Sequence, residues 1–533
     1  MCYFMKKKHE RPDYVETFVK PKNTEIKFIN GHWYLYERTS YYDPKTKRAH
    51  KKSGKLIGTI TPTGLVYKKE KMDRSAIDHI DVLELGATGY LFQHNRVLQE
   101  RLRECFPELW REMFAISVLR ITEGPRFKRL EDAYETSCLS RLLPDLHLDK
   151  ASLSSLLKTL GRDRHSMKRF MEKDHDRLSP YLVFDGHRIV SDSETLDTAQ
   201  MGYDSKRRYK DQINLVYAFS ISGERCFPYY YKQFSGDVPD ITAFSSLVEE
   251  AGLDSRQLTL LADKGFGSEE NFSFIDESGF HYIIPIKRSN FDAKDAIPDS
   301  LAGYDNAFTF HDRAILHKAV QHDNYTIHLF MDSSLFANEL SDLTERLEKK
   351  NNTIMLKHQM EENRRRKGKS RLTDDEFAAL KPATWADTYE EKNSMGTLAI
   401  RTNSAELNGS QVYFLYKRRE AIENFFKTYD NSLGLSSSYM RDSYTEEAWL
   451  FLNHLSAIMA FSIMDEIYLQ GKVKEYSLDD FISILSKIHA DRIKDSWKCA
   501  KMTKKRATFA ETFGLDITAL LREMDAMDTL SAP

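Results

Sequence analysis

Between Pro180 and Gly265 the chain runs through a succession of textures that few folds accommodate. YLVFDG (181–186), INLVYAFSI (213–221) and CFPYYYKQF (226–234) are short apolar runs in hairpin-like order. Runs of this length between turn residues read as buried strands. ITAFSSLVEEAG (241–252) spaces its apolar residues as a helix does, and LTLLADKG (258–265) is a further buried strand. The order is therefore three strands, a helix and a fourth strand. Asp185 closes the first run and Asp263 the last. Runs this apolar do not tolerate an unpaired carboxylate unless it emerges at the strand end. Two plainer readings stand beside this one: Asp-Gly is a favoured hairpin turn pair, and Asp263 could be a turn or cap residue. Asp192 and Glu194 are nearby acidic alternatives to Asp185.

This order is the opening of an RNase H-like fold, which carries one carboxylate on its first strand and another just past its fourth. The expected architecture is α/β: an RNase H-like catalytic domain with an insertion domain, preceded by a β-hairpin and a helical region. Residues 1–74 form the hairpin region, where HWYLYERTSYY and KLIGTITPTGLVYK read as two strands. DPKTKRAHKKSGK between them reads as a turn with a basic tip, because Asp-Pro and Ser-Gly mark turns. Residues 75–176 carry apolar residues at three- and four-residue spacings and read as a helical domain. The catalytic core occupies 177–290 and resumes at 395–470, with the insertion domain at 291–394. A helical tail, 471–533, completes the chain. The insertion holds a charged helical run from Ser334 to Lys369 that ends in RRRKGKSR.

Net charge excludes little here. The 78 Lys and Arg balance 80 Asp and Glu to a formal −2, yet a DNA-binding face needs only a local basic patch. The five cysteines (Cys2, Cys105, Cys138, Cys226 and Cys499) form no C-x-x-C pair, so neither a disulfide framework nor a structural zinc site is indicated. The long apolar stretch from Ala448 to Met464 is interrupted by Asn453, His454, Ser456 and Ser462. It reads as a buried core helix, since a membrane span needs about 20 nearly uninterrupted apolar residues. The start of the chain turns polar at once, without the pattern of a signal peptide. The expected location is the cytoplasm, with no membrane partner.

A third carboxylate completes a possible metal centre. FLYKRREAIENFFKTYD (414–430) reads as a helix that places Tyr416, Arg419 and Glu423 at i, i+3 and i+7, on one face. The plainer reading is a surface helix with Arg–Glu pairing, although Ile422, Phe425 and Phe426 argue that it is packed. Three carboxylates from distant segments can hold two divalent cations about 3.5–4 Å apart, which is what phosphoryl transfer on DNA requires.

These segments together resemble the DDE-class insertion-sequence transposases of the IS-four-like group, whose hallmark is Y-x2-R-x3-E-x6-K. Tyr416, Arg419 and Glu423 match it in residue and spacing, but Asp430 stands at the lysine position. ADKGFGSEENFSFIDESGFHYIIPIKRS and MGYDSKRRYKDQINLVYAFS, followed by FSGDVPDITAF, are similar to the family's other segments. The resemblance covers roughly 180–290 and 395–465, and more loosely the hairpin at 25–70. It implies a catalytic and metal-binding triad of Asp185, Asp263 and Glu423. It also implies Mg²⁺ with Mn²⁺ able to substitute, cleavage at element ends, and strand transfer into target DNA. The implied setting is a homodimer on paired DNA ends in a prokaryotic, nucleoid-associated location. Tyr416 and Arg419 would contact DNA, with Lys427 taking over from the missing lysine. Trp385, the lone tryptophan of the insertion, would stack on a flipped base, its plainer reading being a packed or capping aromatic. Lys51 and Lys52 near the hairpin tip, and Arg365 and Arg366 in the insertion, are candidate phosphate contacts. A catalytically inactive DNA-binding descendant and a metal-dependent nuclease on the same fold are the alternatives.

Overall fold

The computed structural model describes residues 10–68, 80–124, 126–175, 178–203, 209–222, 225–238, 240–253, 258–388, 394–419, 422–423, 426–427, 430, 433–493 and 496–530. It divides into two units, Met1–Ile80 and Asp81–Pro533. Phe425 and residues 204–208 of the MGYDSKRRYKDQ segment lie outside the described residues, as do Cys2 and the 69–79 stretch containing the expected 74/75 boundary.

In the first unit β1 (Thr24–Ile29), β2 (His32–Asp43), β3 (Arg48–Thr61) and β4 (Gly64–Tyr67) pair antiparallel in sequence order. Trp33, Leu35 and Ile60 alternate onto one face, where Val15 covers them. The expected basic turn at 43–55 is corrected: only residues 44–47 turn, and Arg48 onward is strand. From Arg38↔Ser53 to Asp43↔Arg48 the two strands form a ribbon whose residues are almost all exposed. Its 48–53 side, wet on both faces, carries no apolar alternation and so reads as turn, whereas its partner falls in the expected strand HWYLYERTSYY. Ser53-Gly54 marks a bulge instead of a turn, and a Cβ on Gly54 would fall 2.7 Å from that of Glu37. Thr61 to Gly64 supplies a second turn, which splits KLIGTITPTGLVYK into two strands.

The second unit opens with β5 (Asp81–Glu84), followed by helices from Gly86 to Glu172. Next come β6 (Tyr181–Ser191), β7 (Gln200–Tyr203), β8 (Tyr209–Ser222) and β9 (Arg225–Ser235). The helix Asp240–Glu250 leads to β10 (Thr259–Ala262), and β11 (His281–Ile286) follows. β6, β8 and β9 pair antiparallel, whereas β10 runs parallel to β6 and β11 parallel to β10. β8 is buried from Gln212 to Ile221 without alternation, as befits a strand covered on both faces.

β12 (Asn306–Phe310), β13 (Arg313–Gln321) and β14 (Thr326–Asp332) fall within the span expected to form the insertion. They continue the same sheet through β15 (Thr397–Thr402), which pairs with β11. What leaves the sheet is the helix Ser333–Arg366 and the segment returning to Thr388. At 1.5 Å per residue this helix is about 51 Å long, and only Glu361 on it is buried. The Glu361 carboxylate accepts the Arg371 amide and the Ser370 hydroxyl at 2.7 Å each, which folds the chain back.

The apolar stretch Ala448–Met464 is core. It lies in the helix Ser443–Leu469, among the described residues the one helix long and apolar enough to cross a membrane, and 78% of its apolar window is buried within the structure. Asn453, His454 and Ser456 are buried, Ser462 is exposed, and Asn453 accepts from the fully buried Arg120 at 3.0 Å. A Cβ on Gly161 would meet the Tyr444 carbonyl oxygen at 1.7 Å, so the helix Lys150–Gly161 approaches this one at a position only glycine permits. Near the C-terminus, β16 (Ser437–Ser438) pairs with β6, and β17 (His489–Ile493) pairs with β18 (Ser496–Cys499) and with β5.

The same helix buries Glu446, whose Oε2 accepts from Ser438 while Oε1 has no hydrogen-bond partner among the described residues. Burial pushes its carboxyl up to about 7. The folded state therefore holds a proton that the unfolded chain releases near pH 4.5, and stability is lost as pH rises from there to about 7. Glu446→Gln is expected to match the wild type at pH 4 and to be about 3 kcal/mol more stable at pH 8. Denaturant unfolding at the two pH values checks this.

Candidate active site

Asp185 lies in mid-strand, not at a turn: β6 continues to Ser191, with Asp185 opposite Tyr217 and Gly186 opposite Val216. Its side chain is 17% exposed. Asp263 follows the last residue of β10, where it begins a short 3-10 turn, and its Oδ1 accepts the Lys264 amide at 2.6 Å. Because Ala262 pairs with Phe184 in parallel register, Asp185 and Asp263 are the next residues along two adjacent strands. Ser268 then caps the helix Glu269–Glu277, and Asn271 holds the Phe266 carbonyl at 2.8 Å. The loop that presents Asp263 is thus pinned on both sides. Asp192 and Glu194 lie past the end of β6 and are exposed.

The third acid arrives by a route different from the expected continuous helix. The helix Gly409–Lys417 ends at Arg418, and Arg419 sits in a turn before the helical residues Ile422 and Glu423. The bonds Arg419 N–H to Tyr416 O (3.1 Å) and Ile422 N–H to Arg419 O (2.9 Å) are three-residue turns, tighter than an α-helix makes. No glycine or proline stands here, so tertiary contacts impose the break. The half-buried Arg419 guanidinium reaches all three acids: Asp185 Oδ2 at 3.5 Å, Asp263 Oδ1 at 3.8 Å and Glu423 Oε1 at 3.3 Å. Burial opposes its charge, but Asp263, Asp185, Tyr416 and Glu423 outweigh that and hold the guanidinium above its ordinary pKa. The Tyr416 ring lies 5.9 Å from the guanidinium carbon, and burial pushes its hydroxyl pKa up.

The three carboxylates predicted from sequence therefore converge on one point from three distant segments. Among the described residues no group of three His, Cys, Asp or Glu side chains is close enough to hold a metal ion as placed. The cation at their centre is the guanidinium. The donor set, carboxylate oxygens alone, suits a hard divalent ion better than zinc or copper.

The remaining predicted residues are placed elsewhere. Lys427 is exposed one turn beyond Glu423. Lys51 and Lys52 lie on the ribbon of the first unit, opposite Ser40 and Thr39. Trp385 begins a short helix and is 41% exposed. Arg366 pairs with Glu362 at 2.7 Å and is exposed. Arg365 binds Asp374 at 2.6 Å and the Thr373 carbonyl at 2.9 Å, with Phe377 beneath it. It secures the turn after the long helix.

Sequence reasoning passed over one pair beside the centre. His187 Nε2 lies 3.0 Å from Asp430 Oδ1, and its ring stacks on Phe426 at 4.8 Å and 8°. The available signal was parity: His187 is two residues past Asp185, on the same strand face.

A family model described as the transposase DDE domain matches residues 179–459, just over half of the chain and all three acids. No curated protein matches the sequence.

Proposed function

Because the chain belongs to the transposase DDE-domain family, we propose that it cuts DNA at the ends of a mobile element and joins them to target DNA. The observation that carries this reading is the convergence of Asp185, Asp263 and Glu423 on one guanidinium. DDE transposases generally use divalent metals. The ion proposed here is Mg²⁺, with Mn²⁺ able to substitute, and the three acids would hold it. Bound there, a pair of such ions supplies an activated attacking oxygen and a stabilised leaving oxygen.

The chain's own residues prepare that chemistry. Asp185 is held by its strand and Asp263 by the pinned loop just past the adjacent parallel strand, and the Glu423 segment faces them. Arg419 offsets a charge of three acids that would otherwise repel one another. Its planar fork is also of the kind that pairs with a DNA phosphate in bidentate fashion. Tyr416 limits where that fork can turn. Lys427, exposed one turn beyond Glu423, is the proposed contact to a further phosphate. The ribbon carrying Lys51 and Lys52 is narrow enough for the major groove of DNA, about 12 Å wide, which admits a two-stranded β-ribbon. Trp385, Arg365 and Arg366 are proposed DNA contacts of the excursion from the sheet, with Arg365 the least available because it already holds the turn at Asp374.

The pairing of β6, β8 and β9 with β10 parallel to β6 favours an RNase H-like core, and the Tyr416–Arg419–Glu423 set favours the IS-four-like group. A homodimer on two paired ends, working in a prokaryotic cytoplasm at the nucleoid, is the proposed active form.

The test is a short duplex taken from the inverted repeats that flank the coding region, incubated with the full chain and Mg²⁺. We expect a nick at the repeat end and a joined product with a second duplex. Cleavage without joining would make the protein a nuclease. Binding with neither would make it an inactive descendant.

A further inference from the structure

We infer that His187 and Asp430 form a second rung between the Asp185 strand and the Glu423 helix, and that this rung sets the spacing of the active carboxylates. The inference rests on the functional reading above and goes beyond it, by assigning a positioning role to the acid that replaces the family's lysine.

The described residues between 422 and 433 are helical, and Glu423, Phe426 and Asp430 share one face at i, i+3 and i+7. On the opposing strand Asp185 and His187 share a face. The first rung is Asp185–Arg419–Glu423. The second is the His187 ring, which lies flat on Phe426 and meets Asp430 at 3.0 Å.

The spacing of the rungs is mutually consistent. Residues two apart on a strand stand about 6.7 Å apart along it. The His187 ring meets Phe426 and Asp430, three and seven residues past Glu423, and at 1.5 Å per residue these bracket the strand spacing at about 4.5 and 10.5 Å. The two elements therefore advance together. A slip of the helix by one turn, about 5.4 Å, would break both rungs at once. Phe426 is fixed independently, with Phe219 at 5.7 Å and Tyr217 at 6.3 Å, both edge-on.

The pair also answers an electrostatic problem. An acid at Asp430, two turns from Glu423, would repel the DNA that this helix face is to receive. Engaged by His187, with its side chain 33% exposed, it is turned toward the strand instead. The lysine of the family pattern would serve DNA directly. Here the same position serves the scaffold, and the neighbouring Lys427 remains exposed.

The experiment compares the full-length wild type with Asp430→Asn, Asp430→Ala and His187→Phe. The His187–Asp430 contact is an ion pair by distance, so asparagine keeps the size but not the charge, alanine removes both, and phenylalanine keeps the stack on Phe426 while removing the polar contact. Three readouts are taken: Mn²⁺ affinity by electron paramagnetic resonance without DNA, hydrogen exchange of the 422–433 helix, and end-duplex affinity with single-turnover nicking. The expected result for D430A and H187F is Mn²⁺ binding weakened about tenfold, helix exchange about tenfold faster, and nicking about tenfold slower. End-duplex affinity should stay within twofold for all three variants, and D430N should fall between wild type and D430A on the other readouts. The inference is overturned if D430A leaves Mn²⁺ affinity and helix exchange unchanged. It is equally overturned if end binding falls in step with nicking, since Asp430 would then be a DNA contact. A wild type that binds Mn²⁺ but never nicks would defeat the functional reading alone, and metal affinity and exchange would still decide the rung.

Discussion

Asp263→Asn should lower end cleavage at least about a thousandfold while leaving the fold intact. The substitution keeps shape and volume and removes one anionic oxygen from a centre that has three acids. Losing about 4 kcal/mol of transition-state stabilisation corresponds to a thousandfold in rate, and a metal ligand in phosphoryl transfer contributes several kcal/mol. Stability should change little. The Asp263 side chain is 37% exposed, and Arg419 keeps Asp185 and Glu423 as counterions. Asp185→Asn and Glu423→Gln should lose activity to a similar degree, and the double variants should lose little more, because groups acting on one centre are not additive. Asp192→Asn is the control, since Asp192 is exposed beyond the end of β6. The measurements are single-turnover nicking, end-duplex affinity and thermal unfolding for each variant. An Asp263→Asn enzyme retaining a tenth of wild-type nicking would place the chemistry elsewhere on the chain.

How much of this centre was legible depended on burial. β6, β8, β9 and β10 are apolar on both faces, so their runs stood out from the sequence and placed Asp263 just past its strand. Asp185 was harder, because Asp-Gly locally favours a turn. The pairing of Asp185 with Tyr217 and of Gly186 with Val216 overrides that preference, a case of tertiary context outweighing local propensity. The Tyr416–Arg419–Glu423 set was found by spacing, yet a single helix does not carry it. Contacts that an i, i+3, i+7 count assigns to one helix survive a tight turn at Arg419, so the count identified the right residues for an incomplete reason. The 38–42 side of the ribbon was read as strand, but its 48–53 side was read as turn because both its faces are wet. The three strands β12–β14 were assigned to an insertion because sequence adjacency says nothing of which sheet edge a strand joins. His187 and Asp430 are 243 positions apart by their numbering, and no periodicity spans that distance.

The second large effect concerns what supports the sheet behind the site. Arg164 opens the helix Arg164–Glu172 and sends its guanidinium to three partners: Glu447 at 2.7 Å, Glu250 at 2.9 Å and the Tyr231 carbonyl at 2.8 Å. Its carbon lies 5.0 Å from the Tyr231 ring centre. The Tyr231 hydroxyl donates to Glu447 at 2.9 Å and the Tyr230 hydroxyl to Glu250 at 3.0 Å. One side chain thus joins β9, the helix Asp240–Glu250 and the core helix Ser443–Leu469. Arg164→Met fills most of the volume but leaves Glu447, whose side chain is 10% exposed, without its cation. Breaking a buried pair on one side costs about 3–5 kcal/mol. Arg164 is itself 29% exposed, so the lower end, about 3 kcal/mol, is expected. Glu447→Gln added to Arg164→Met should recover more than half of the loss, because a neutral amide needs no counterion and can still accept from Tyr231.

The pH dependence gives an independent check of the same network. Burial works to raise the Glu250 carboxyl, but Lys232 and Arg164 outweigh it and hold the group down to about 2. The stability this contributes is present above the unfolded value near 4.5 and is lost as pH falls through about 2. Arg164→Met should flatten that acid limb and leave the part due to Lys232, which stays 2.5 Å from Glu250. Denaturant unfolding of the single and double variants between pH 2.5 and 7 measures both effects. If Arg164→Met unfolds like wild type across that range, the network is surface pairing of small value, and the rigidity of β9 behind the active carboxylates must come from apolar packing alone.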